Sequence, residues 1–150
     1  MTTNLQISLP TDTWELATWE EYIQQLADPI YAGAKGYYFQ NKARIEMHTV
    51  GFDHSIDHST IAFAIHLYCV LRGIPLDIAD NCNYRQTGQK ECQPDLSCYF
   101  ANRTQTVPKG TSIVDLDRYS PPDLVVEISK STFLDDRTVK RVLYEEIGIA

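Results

Sequence analysis

At 150 residues the chain has room for one domain with a real buried core, and its 43% hydrophobic and 22% charged residues are ordinary for a soluble globular protein. The net charge of −7 argues against a broad basic face for nucleic acid, because phosphate neutralisation dominates such binding. Thirteen Lys and Arg are present, however, and a divalent metal can neutralise phosphate locally, so chemistry on phosphates stays open.

The N-terminal MTTNLQISLP has neither a basic leader nor an apolar run with a cleavage site. No apolar stretch reaches the ~18 residues that suggest a membrane span. The expected compartment is the cytoplasm, with no membrane partner. Cys69, Cys82, Cys92 and Cys98 lack zinc-ligand spacing, and in that compartment they read as reduced, packed thiols.

In chain order, residues 1–17 read as an N-terminal extension to a single domain spanning 1–150. The first element begins at Thr18, where T-W-E-E sets Glu21 three residues after a Thr in a capping-box pattern. Trp19, Tyr22, Ile23 and Leu26 continue with helical spacing to Asp28-Pro29. YYFQNKARIEM then reads as a hairpin, with arms 37–39 and 44–47 around Gln40-Asn41-Lys42. Asp53, Ser55 and Asp57 offer N-caps to a long apolar helix carrying Ile61, Phe63, Ile65, Leu67, Tyr68 and Leu71, ended by Gly73-Ile74-Pro75. His66 within it reads as a core histidine. Strands are predicted at 76–78, 82–87 and 96–100, then a loop over 101–122. There Asp115 and Asp117 read as turn residues, and Asp123 as a strand-start acid. Leu124–Ile128 lacks alternation and predicts a central strand covered on both faces. A last helix runs from about Phe133 to Ile147. The order implies an α/β or α+β domain, a mixed sheet flanked by helices.

Glu127 stands inside the most hydrophobic of these strands, where an unpaired carboxylate costs several kcal/mol or stays protonated. It needs a cation, and either a metal ion or a Lys or Arg of a core ion pair would serve. Asp95 follows Pro94 in CQPDLSCYF, and alternation places Asp95, Ser97 and Tyr99 on one strand face. If the two strands are neighbours, Asp95 and Glu127 can share one hard cation with water positions open, which suits Mg²⁺ or Mn²⁺. Taken singly, Asp95 reads rather as a turn or strand-start residue after Pro, while the two readings of Glu127 stand about even.

CQPDLSCYF followed by PPDLVVEIS, with STFLDDRTVKRVLYEEIGI behind it, resembles the putative-restriction-endonuclease branch of the PD-(D/E)XK superfamily, the Uma-two type. The resemblance runs from Thr18 to the C-terminus and takes in R-I-E-M, V-G-F-D-H-S-I-D-H, Y-R-Q-T-G and G-T-S-I-V-D-L-D-R-Y. It implies a restriction-endonuclease-like core and metal-dependent cleavage of phosphodiester bonds, with DNA as partner. Asp95 then corresponds to the P-D aspartate and Glu127 to the acid of E-x-K.

Three departures accompany it. Ser129 stands where the E-x-K lysine is expected, and Lys130 is one residue late, which on a strand points to the opposite face. Relatives carry a lysine on the following helix in the pattern D-x-x-x-K-x-x-x-Y, matched here by Asp136, Lys140 and Tyr144 on one helical face. Lys140 is thus the candidate for the displaced cation, against a surface lysine paired with Asp136. Secondly, Tyr38 stands where many relatives have a hairpin Glu, so Glu46 in the second arm is the candidate third carboxylate, against a surface Glu beside Arg44. Thirdly, relatives continue past position 150 into further strand. A missing C-terminal strand would expose a sheet edge and imply pairing as a homodimer.

His54 and His58, four apart, could grip a transition metal on a helix. Relatives place a His at the position of His58, so a role near the site or in capping fits better. Arg85 could touch phosphate or sit in an ion pair. The alternative to a nuclease is a catalytically degenerate nuclease fold that binds nucleic acid or protein.

Overall fold

The computed structural model describes residues 9–47, 51–129 and 134–149, the side chains of 134–136 excepted. After a short strand β1 (Glu15–Leu16), helix α1 (Trp19–Leu26) starts as expected. The Thr18 hydroxyl accepts from the Glu21 amide, and the Glu21 carboxylate accepts from the Thr18 amide. The hairpin follows as β2 (Lys35–Phe39) and β3 (Lys42–Glu46), turned by Gln40 and Asn41, both at positive φ. Gly36 lies directly under α1, where a Cβ would collide with the Tyr22 hydroxyl and Leu26, so only glycine allows this close packing.

Helix α2 (Phe52–Arg72) is capped by Gly51 rather than by Asp53, Ser55 or Asp57, and ends on Gly73 in the left-handed region. Four strands come next: β4 (Leu76–Asp80), β5 (Asn83–Gln86), β6 (Lys90–Cys92) and β7 (Leu96–Phe100). Then β8 (Ile113–Asp115) and β9 (Leu124–Val126) precede α3 (Leu134–Ile147).

These strands form two sheets, ordered β1-β3-β2-β6-β5-β8 and β4-β7-β9. The pairings are antiparallel except for β5 with β8, so the larger sheet is mixed as the sequence predicts. Successive β2 side chains divide between two cores. Tyr37 and Phe39 join Tyr84, Cys92, Tyr99, Leu143 and Tyr144 beneath α3, while Tyr38 packs with Tyr22 and Ala43 against α1.

Two expectations need correction. Among the described residues β9 pairs only with β7, which leaves it at the edge of its sheet and half-buried rather than central. Helix α2 buries Cys69 but leaves Phe52, Phe63, Val70 and Leu71 largely exposed, and His66 is exposed rather than in the core. Cys69, Cys92 and Cys98 are buried, and all four cysteines are free thiols. No helix among the described residues is long and apolar enough to cross a membrane.

Candidate active site

Register places the first two groups. Lys35 opens β2 and pairs directly with Glu46 at the end of β3, so both side chains leave the same face of the hairpin. Both are buried. Asp95, just before β7, arrives beside them, and Lys35 Nζ lies 2.5 Å from Asp95 Oδ1. Its other oxygen, Oδ2, accepts the Ile128 amide at 2.6 Å, which ties Asp95 to the chain leaving β9. Glu127 is the residue just before that amide.

Helix α3 closes the cluster from the other side. Lys140 Nζ is 2.8 Å from Glu46 Oε1 and 3.7 Å from Glu127 Oε1, and it lies 4.1 Å from the centroid of the Tyr37 ring, a cation–π contact. The Tyr144 hydroxyl, one turn on, donates to Glu127 Oε1, and the Tyr37 hydroxyl donates to the same oxygen at 3.1 Å. Arg44 Nε donates to Glu46 Oε1 at 2.7 Å. The surroundings of Glu46 therefore include Arg44, but Glu46 is 5% exposed and is no surface residue.

The electrostatics differ among the three acids. Burial raises the Asp95 carboxyl, but the hydrogen bonds from Lys35 and the Ile128 amide outweigh it and leave the pKa lowered. Burial is likewise overcome at Glu46 by Lys140 and Arg44, so that pKa is also lowered. At Glu127 burial wins, against Lys140, the Tyr144 hydrogen bond and Lys35, and the pKa is raised. Glu127 nonetheless keeps 26% of its side chain accessible, whereas Asp95 keeps 2%.

Of the remaining sequence candidates, Ser129 is exposed, Lys130 lies outside the described residues, and Asp136 sits in α3 with its side chain outside them. His58 Nε2 is 3.0 Å from Asp80 Oδ1 and 3.3 Å from the Asp95 carbonyl oxygen. His54 Nε2 is 3.4 Å from Asp95 Oδ2. The two histidines thus contact different carboxylates, and the described residues hold no group of three or more His, Cys, Asp or Glu placed to bind a metal ion. Arg85 is ion-paired with Glu91.

Sequence reasoning missed Lys35, Tyr37 and the contact of His54 with Asp95. Tyr38, where relatives carry Glu, packs into the α1 core, and the hairpin residue that reaches Asp95 is Lys35. Only its place across from Glu46 in the hairpin register could have pointed to it.

The donor types suit a hard divalent ion. Asp95 and Glu127 are oxygen donors on segments joined by the Asp95–Ile128 hydrogen bond, and an ion would displace Lys35 from Asp95 Oδ1. The donors found on Glu127 among the described residues all converge on Oε1, leaving Oε2 without a protein hydrogen bond there. Mg²⁺ characteristically takes one or two carboxylates and keeps several waters, so two acids suffice.

No curated protein gives a significant match to the chain. The sequence model of the Uma2 family, described as "Putative restriction endonuclease", matches residues 19–150, a span that contains Lys35, Glu46, Asp95, Glu127 and Lys140. The chain belongs to the Uma2 family.

Proposed function

We propose that the chain is a metal-dependent endonuclease that hydrolyses phosphodiester bonds of DNA, with Asp95 and Glu127 holding Mg²⁺ or Mn²⁺. The observation that carries this reading is the convergence of Asp95, Glu127, Glu46 and Lys140 on one cluster from four separate elements. Such an ion supplies polarisation of the phosphodiester and a lowered pKa for the attacking water.

The chain's own residues do the rest. Glu46 anchors Lys140, whose ammonium stands at Glu127 and can orient the water or take up charge developing on phosphate. Tyr37 and Tyr144 fix Glu127 by one oxygen. His58, hydrogen-bonded at the Asp95 backbone, would support this centre, and the family pattern offers Ser129 and Asp136 as further candidates for support.

Titration calorimetry with Mn²⁺ tests the reading without a choice of substrate. Wild type should bind and Glu127→Gln should not, with DNA cleavage lost in the same variant. A folded wild type that ignores Mn²⁺ both alone and with a dinucleoside phosphate present would move the assignment to the degenerate, nucleic-acid- or protein-binding form of the fold. The ion pair already formed between Asp95 and Lys35 is what favours that second reading.

The same reading has the protein act as a homodimer. Ile56, Phe63, Leu67 and Val70 on α2 are all exposed and repeat at three- and four-residue intervals after position 60, a seam suited to a second α2. Sedimentation equilibrium should show a dimer that Phe63→Glu dissociates, and a monomeric wild type would refute it.

A further inference from the structure

We propose that Lys35 is a built-in counter-ion of the site, and that a divalent ion consequently binds tightly only together with an anion such as a phosphodiester. The proposal rests on the reading of Asp95 and Glu127 as the metal ligands. It starts from Asp95, whose side chain is almost fully buried and whose two oxygens are already engaged, one by Lys35 and the other by the Ile128 amide. Lys35 is itself 4% exposed, so water does little to screen its charge.

Around this pair, Asp95, Glu127 and Glu46 face Lys35, Lys140 and Arg44, each joined by the contacts already described, and His54 stands 3.4 Å from Asp95 Oδ2. Each of the three acids thus already has a cation beside it. A divalent ion therefore adds two positive charges to a largely buried cluster whose acids are matched, next to an ammonium on Asp95 Oδ1. Attraction to Asp95 is offset by repulsion from Lys35, more strongly here than in water.

A phosphodiester brings the compensating negative charge. Lys35 is suited to the exchange, because its ammonium is a compact charge on a flexible four-carbon stem. Released from Asp95, it can move onto a phosphate oxygen while the carboxylate turns to the ion. Anion and metal then favour one another, and the coupling must be reciprocal. Ser129 stands where the resemblance expects a lysine, and Lys35 is the lysine in contact with Asp95 instead.

The test is Mn²⁺ binding, by calorimetry and by thermal shift, to wild type, Lys35→Met and Lys35→Arg, with and without the dinucleoside phosphate thymidylyl-thymidine. Wild type should bind Mn²⁺ about tenfold more tightly in the presence of the dinucleotide, within the usual range of such couplings. Lys35→Met should bind Mn²⁺ alone about tenfold more tightly than wild type and lose the response to dinucleotide. Lys35→Arg keeps the charge and should stay near wild type. If Lys35→Met unfolds, Mn²⁺ should refold it, since the ion replaces the missing ammonium. Failure to refold, or affinity in Lys35→Met no higher than in wild type, overturns the proposal. In that case Mn²⁺ binding that Glu127→Gln abolishes would leave the metal-site reading standing, whereas no binding by any variant would end both.

Discussion

Glu91 and Glu127 are both carboxylates withdrawn from solvent, but the protein treats them in opposite ways. Glu91, on β6, is fully buried and saturated by its neighbours on β5. Arg85 grips both oxygens, at 2.7 and 3.0 Å, and the Asn83 amide adds a bond of 2.7 Å. The Arg85 guanidinium is backed by the Trp19 ring at 5.6 Å. Donors and acceptor here come from adjacent strands and hold a fixed, bidentate geometry. Glu127 instead takes its donors from β2 and α3, all on one oxygen, and burial raises its pKa. Glu91 is closed on both oxygens by its neighbours, whereas the described donors to Glu127 hold it by one oxygen.

The largest expected effect falls on the closed pair. Arg85→Met leaves Glu91 buried without its partner and should cost about 3–5 kcal/mol in urea unfolding. Mn²⁺ affinity of the folded variant should not change, and a loss there would mean that Glu91 is no mere structural acid. Lys140→Met should act on the other side of the contrast, lowering DNA cleavage about 100-fold in single-turnover assays. Unchanged cleavage would reduce Lys140 to an ion-pair partner of Glu46.

Tyr144→Phe should be mildest, costing about 1 kcal/mol of stability. Its sharper signature is in pH dependence. Burial holds the Glu127 pKa above its ordinary 4.5, and a metal needs the ionised carboxylate, so Mn²⁺ affinity falls as pH drops through that raised value. The Tyr144 hydrogen bond pulls the pKa down, so removing it should start the fall at higher pH. Mn²⁺ titrations across a pH series read the difference, and superimposable curves would show that Tyr144 does not tune Glu127.

What the sequence showed and what it hid follow from how locally each feature is encoded. The α1 capping box, the hairpin, the span of α2 and strand β7 depend on neighbours within a few residues, and they form as the pattern predicts. Glu127 stands out because it interrupts an apolar run, whereas Asp95 is singled out mainly by the resemblance that CQPDLSCYF carries. Strands β6 and β8 have three residues each and no alternation to read, since β2 and β5 impose their conformation. Lys35 carried no local signal at all. Its burial comes from the facing strand and from Asp95, 60 residues away. The apolar surface of α2 misled for a related reason, because hydrophobic composition says that a helix prefers cover without saying where the cover comes from.

The Asp95–Ile128 hydrogen bond joins positions 33 apart, and the Lys35–Asp95 and Tyr144–Glu127 contacts complete a ring that runs from the hairpin to the last helix. No contiguous fragment of the chain short of that span contains a whole site. A nascent or half-folded molecule, still lacking a docked α3, therefore has scattered carboxylates but not the proposed centre. On that reading any cleavage waits until the whole fold has formed.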